Sequence, residues 1–172
     1  MSVMIRKASS LDLGIIHDIR RDAILGIESD DFGAVERHAW ADRRSPDFFA
    51  RRVAAGEVVL AVSGSNPLGW GSSSGHHVSG VYVRPSSGRT GVGRAIMSRL
   101  EADILKRGHE YATLDSSPNA VGFYIKLGYR SVGPPDDDGA LPMKKLFEDR
   151  ALELGPTIRV KLCSRPVVET QC

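Results

Sequence analysis

The 172-residue sequence holds only two cysteines, Cys163 and Cys172, both near its C-terminal end. Two thiols so late in the chain supply neither a paired-ligand metal site nor a disulfide framework, and a reducing compartment disfavours a bridge between them. Long apolar runs are missing as well. No segment approaches the ~20 apolar residues of a membrane span, and Met1–Gly14 lacks the apolar core of a secretory leader. The expectation is a cytoplasmic protein with no membrane partner. Aromatic residues make up 6%, no basic run is interleaved with them, and the formal net charge is +2, so no nucleic-acid partner is expected. Internal repeats and low-complexity stretches are absent.

What is present is an ordinary globular composition, 41% hydrophobic and 26% charged, at a length that suits one domain with one sheet-covered core. Val3–Arg6 reads as a short strand, followed by Ser10 as the cap of a helix whose apolar stripe is Leu11, Leu13, Ile15, Ile16 and Ile19. Residues 28–45 are polar and read as irregular, apart from a helical turn at His38–Trp40. Ser45-Pro46 then opens a second helix through Phe48, Phe49, Val53 and Ala54, ended by Gly56. Val58–Val62 and Leu68–Ser72 flank a turn and form an antiparallel hairpin, and His77–Val83 is a further strand that stops at Pro85.

A helix from Gly91 to about Arg107 carries Val92, Ile96, Leu100 and Ile104 on one face. Tyr111–Leu114 is a buried-type strand and Pro118–Leu127 a helix ended by Gly128; Tyr129–Val132 and Pro142–Phe147 are closing strands around the acidic Asp136–Asp138 turn. The pattern predicts a mixed α/β (α+β) fold over residues 1–147: a largely antiparallel central sheet of about six to seven strands flanked by about four helices. Residues 148–172, broken by Pro156 and Pro166, form a tail of unknown role in which Ile158, Val160 and Leu162 allow one strand.

The chemistry concentrates in Val83–Ala95, where a strand feeds a loop of small residues into a helix start. Unpaired amides and the positive helix end favour a phosphate there. A Walker loop would need Lys-Ser/Thr after Gly93, which Arg94-Ala95 do not supply, so a nucleotide switch is disfavoured. A dinucleotide fingerprint would need a third glycine at Ile96 and a parallel βαβ unit. A coenzyme A pyrophosphate remains, with Arg89 and Arg94 beside the backbone donors; so does a ligand-free turn that uses glycines only for backbone freedom.

At these residues the sequence resembles the GNAT N-acetyltransferase superfamily. That family's pyrophosphate motif, Arg/Gln-x-x-Gly-x-Gly/Ala after a strand ending in valine and proline, is matched by Val83-Arg84-Pro85 and Gly91-Val92-Gly93, while its first position is Gly88, with Arg89 one place later. A second match follows: Asn119-Ala120-Val121-Gly122-Phe123-Tyr124-Ile125-Lys126-Leu127-Gly128-Tyr129 resembles the family's Ala-x-x-Phe-Tyr-x-x-x-Gly-Phe/Tyr segment, and the likeness extends over about residues 3–147.

The resemblance implies acetyl-CoA as acyl donor, with no metal, and an amine of a small molecule or peptide as acceptor. It implies a cofactor site of Val81, Tyr82, Val83, Arg89, Thr90, Gly91, Val92, Gly93, Arg94, Ala95, Ser117, Asn119 and Tyr124. Within it, Val81 pairs with the pantetheine amides, the Val83 N–H at a bulge holds the oxyanion, and the Tyr124 hydroxyl faces the sulfur. An alkylammonium with a pKa near ~10 must lose a proton before it attacks. His76, His77 and Glu28 are the candidate bases, His77 foremost, because a strand side chain of the right parity points into the cleft and imidazole titrates near ~6.5. His76 and His77, adjacent on a strand, face opposite sides and do not share a metal. Trp40 and Phe49 fall in the variable acceptor region and read as core. A non-catalytic acyl-CoA sensor on the same scaffold stays open, as does a homodimer.

Overall fold

The computed structural model describes residues 2–27 and 33–147. Glu28, the tail with its allowed strand, and both cysteines lie outside the described residues.

Seven strands form one sheet: β1 (Met4–Lys7), β2 (Val58–Ser63), β3 (Asn66–Ser74), β4 (His77–Val83), β5 (Tyr111–Ser116), β6 (Arg130–Ser131) and β7 (Leu141–Leu146), in the order β1-β2-β3-β4-β5-β7-β6. Every neighbouring pair is antiparallel except β4 with β5. Five α-helices accompany them among the described residues, one more than expected: α1 (Leu13–Leu25), α2 (Ala34–Asp42), α3 (Ala50–Ala54), α4 (Val92–Lys106) and α5 (Val121–Lys126).

β2 shows why the sheet lies at the centre. Its continuous run of valine, leucine and alanine sends Val58, Leu60 and Val62 into a cluster with Ile16, Ile19, Phe49, Val53 and Trp70, while Val59 and Ala61 belong to a second cluster with Ile96 and Leu100 of α4. A strand buried on both faces needs no polar alternation. α4 reaches the sheet because two β3 positions lack a side chain: a Cβ at Gly71 would fall 2.5 Å from Ile96 Cγ2, and one at Gly69 would fall 3.1 Å from Ile96 Cδ1.

α1 departs from the expected start in an instructive way. A turn of 3-10 helix, Ser10–Asp12, precedes it with Ser9 as its cap; the Ser9 N–H and hydroxyl donate to Asp12 Oδ2 at 2.7 and 2.8 Å, and Leu11 is 94% exposed instead of joining the stripe. The stretch expected to be irregular holds α2, nine residues without an apolar stripe. Tertiary bonding supports it: the buried Arg20 guanidinium of α1 donates from Nη1 to the Ala41 carbonyl at 2.9 Å and from Nη2 to the Trp40 carbonyl at 3.0 Å. A cation on the last carbonyls of a helix is favourable both as a hydrogen bond and through the helix dipole.

Candidate active site

The site forms where β4 and β5 part. They pair in parallel only at His77↔Thr113 and Val78↔Leu114. Directly beyond, β4 carries a bulge: Ser73 pairs with Val78 and Ser72 with Gly80, which leaves Ser79 as the extra residue. A bulge bends its strand and ends regular pairing, and β5 continues without β4. The bulge implied at Val83 is therefore at Ser79, and Val83 sits in regular register opposite Gly69.

The register decides which backbone groups face the gap. Arg84 N–H donates to the Leu68 carbonyl at 2.9 Å, which makes Val83↔Gly69 a non-hydrogen-bonded pair, and Val81↔Gly71 is the next of that kind. The N–H and C=O groups of Val81 and Val83 hence point away from β3, into the gap left by β5. Such an edge accepts an extended, amide-containing ligand.

At the end of β4, Pro85–Ser87 form one turn of 3-10 helix and the chain enters α4 through Gly91, whose φ of 89° belongs to the left-handed region. The first helical bond is donated by Ala95 N–H to the Gly91 carbonyl at 3.0 Å, so the amides of Val92, Gly93 and Arg94 point out of the helix end. Val92 itself is core, and only its backbone is available. The Thr90 hydroxyl donates to the Ser87 carbonyl at 2.7 Å and braces the loop. Arg89 and Arg94 have no hydrogen-bond or ion-pair partner among the described residues. Arg89 also takes φ 59°, the one non-glycine residue with positive φ among those described, whereas Gly88 before it has an ordinary extended backbone with φ −61°.

A cleft of about 650 Å³ opens from this gap toward α1 and α2. Val81, Tyr82, Val83, Ser117, Asn119 and Tyr124 line it, which brings together six of the expected site residues. Tyr124 is 8% exposed and its hydroxyl has no partner among the described residues. Burial, with the nearby Tyr82 adding to it, pushes that hydroxyl up to about 12, so it stays a neutral donor at physiological pH. The opposite wall comes from Ala23, Ile24 and Ile27 with Glu36, Trp40 and Arg43. Trp40 is thus a cleft residue, while Phe49 is core, its ring centroid 5.2 Å from that of Trp70. The wall is tied to the loop by an ion pair between Arg84 and Asp22 of α1.

His77 is not in the cleft lining. It sits below the fork on the acceptor-side face, its Nδ1 3.1 Å from Thr113 Oγ1 and its Nε2 3.8 Å from Asp115 Oδ2. His76 packs against Tyr111 at a ring-centroid distance of 4.7 Å, away from the cleft. Among the described residues no group of three or more His, Cys, Asp or Glu is arranged to hold a metal, and no helix is long and apolar enough to cross a membrane.

A family model described as an acetyltransferase (GNAT) domain matches residues 28–146. The chain belongs to the GNAT acetyltransferase family. A serotonin N-acetyltransferase 2, chloroplastic, from Oryza sativa subsp. japonica is 31% identical over 134 residues, 72% of this chain. The chain spans 59% of that relative's length. The GNAT fold recurs in a GCN5-related N-acetyltransferase from Rhodopseudomonas palustris, with TM-score 0.76 and 24% identity over 85% of this chain and 96% of the other. It recurs again in the PaiA N-acetyltransferase from Thermoplasma acidophilum in complex with coenzyme A, with TM-score 0.75 and 19% identity over 86% of this chain and all of the other (100%).

Sequence reasoning missed several cleft residues of this GNAT chain. Asp115 reads as the end of a strand, and Asp138 as part of an acidic turn. Gly80 carried no signal, yet a Cβ there would fall 2.8 Å from Tyr82 Cε2, so its missing side chain leaves room for the tyrosine ring.

Proposed function

We propose that this protein transfers the acetyl group of acetyl-CoA to a primary amine of a small molecule or peptide, by direct attack of the amine on the thioester. The parting of β4 from β5, which leaves the Val81 and Val83 backbone groups unpaired at the edge of a deep cleft, is the observation that carries this reading. The pantetheine arm suits that gap, and the Ser117 and Asn119 side chains border it. The pyrophosphate suits the outward amides of Gly93 and its neighbours, with Arg89 and Arg94, which have no hydrogen-bond or ion-pair partner among the described residues, as cations for it. Acetyl-CoA supplies the activated acyl group; the chain supplies position and polarity.

Backbone amides are effective oxyanion donors because their dipoles are fixed before the charge develops, and in our reading the Val83 N–H takes that role. Tyr124 serves as hydrogen-bond donor to the leaving sulfur. With its own pKa pushed up to about 12 it is a poor acid, so it stabilises a thiolate without having to give up its proton. The rice relative is named for serotonin, whose primary amine belongs to the proposed acceptor class.

The second reading, a sensor that binds acyl-CoA without turnover, draws on Gly88, a glycine where the family motif has arginine or glutamine. Thiol release from acetyl-CoA, measured with a panel of primary amines, separates the two. Amine-dependent release is expected. Coenzyme A binding without release for any amine would favour the sensor, and absence of coenzyme A binding would remove both.

A further inference from the structure

Resting on the acetyltransferase reading above, we propose that Asp115 seats the ammonium of the acceptor and that His77, behind it, takes the proton the ammonium must shed. Asp115 is the first β5 residue past the last rung shared with β4. It lines the cleft on the side facing α1 and α2, with its carboxylate 57% exposed. Ser79 and Gly80 line the cleft from the β4 side of the fork. An amine held at Asp115 therefore lies at the mouth of the gap that takes the thioester.

The His77 geometry supplies the second half. In the tautomer whose Nδ1–H donates to Thr113 Oγ1 at 3.1 Å, Nε2 carries a lone pair directed toward Asp115. Nε2 and Asp115 Oδ2 are 3.8 Å apart, too far for a direct hydrogen bond. Two acceptors at that separation are spanned by one group that donates twice, either the ammonium itself or a water that hands its proton on. His77 has a side chain 41% exposed, which gives the proton an exit to solvent.

Lys144 of β7 shares the face, with its ammonium 3.9 Å over the Tyr111 ring, and His76 packs against the same ring at 4.7 Å between centroids. Glu36, Arg43 and Asp138 line the same cleft as Asp115. The apolar Ala23, Ile24 and Ile27 with Trp40 complete a wall suited to an amine with an apolar body.

The protons balance. The ammonium gives one proton to Nε2 and becomes a free amine. Its lone pair then forms the C–N bond to the thioester carbonyl carbon. The C–S bond breaks, and the second proton shed by nitrogen ends on the coenzyme A sulfur.

Two variants, Asp115→Asn and His77→Gln, test the pair on the full chain, with phenethylamine and its uncharged counterpart phenethyl alcohol as probes. Calorimetric binding without acetyl-CoA should show phenethylamine bound about threefold to fivefold more weakly by D115N, with phenethyl alcohol unaffected. H77Q should bind phenethylamine normally but acetylate it more slowly, and the deficit should shrink as pH rises toward the amine's own pKa, where no base is needed. Equal phenethylamine affinity in D115N, or an H77Q deficit independent of pH, would overturn the proposal. If phenethylamine binding depends on Asp115 while the unaltered protein releases thiol with no amine, the acetyltransferase reading fails and the ammonium seat stands.

Discussion

Arg89 offers a test in which backbone and side chain are read separately. Its φ of 59° is a conformation that costs a side-chain-bearing residue about 1–2 kcal/mol, and glycine nothing. The cost is borne at a loop where the guanidinium has no partner among the described residues, as expected if the side chain is held ready for a phosphate. Arg89→Gly should therefore stabilise the fold by about 1 kcal/mol, a rise of about 2–4 °C in Tm for a chain this long. Arg89→Ala keeps a Cβ in the same conformation and should leave Tm within about 1 °C. Both variants lose the same charge-assisted contact, worth about 1–2 kcal/mol at an exposed site, so both should weaken coenzyme A binding by roughly five- to thirtyfold. Differential scanning calorimetry and titration calorimetry with coenzyme A read the two effects. An unchanged affinity in R89A would refute the phosphate role, and a lowered Tm in R89G would refute the strain.

Tyr124→Phe should lower kcat about tenfold to a hundredfold, the worth of one hydrogen bond to a developing anion, and leave the KM for acetyl-CoA nearly unchanged; unaltered kcat in steady-state assays would remove the role. Arg20→Met should cost about 2–3 kcal/mol by stripping the Trp40 and Ala41 carbonyls of their donor, and should raise the acceptor KM without changing that of acetyl-CoA, because α2 carries only the acceptor wall. Arg6, as a two-pronged donor, with help from Ser9, holds the Asp12 carboxyl well below the usual carboxylate range. A depressed carboxyl stabilises the fold above its unfolded pKa, and that contribution fades as pH falls from about 4. Asp12→Asn should hence cost about 1–2 kcal/mol at neutral pH, with the gap to the unaltered protein closing in acid, as urea unfolding at several pH values would measure.

The elements that could be read in the sequence are those whose residues face one fixed environment. β2 and the apolar stripe of α4 declare themselves because burial allows only apolar side chains there, and the glycine turn declares itself because tight turns restrict residue type. α2 was opaque, since its support is a buried arginine from α1 bonding carbonyls that leave no mark on the local sequence. Trp40 and Phe49 look alike along the chain, yet one lines the cleft and the other the core, because only the tertiary packing of α1 against α2 and against β3 and β4 separates the two places. His77 has the residue type of a base, yet it stands behind the cleft lining and meets the cleft only across Asp115. The place of Asp115 in the cleft depends on where β4 bulges, and backbone register has no side-chain signature.

Acetyl transfer is read most directly by following an isotopically labelled acetyl group from acetyl-CoA in the presence of primary amines. The label should appear in an amide of the amine in the same amount as coenzyme A thiol is released. Thiol released with the label recovered as free acetate, or retained on the protein, would contradict it.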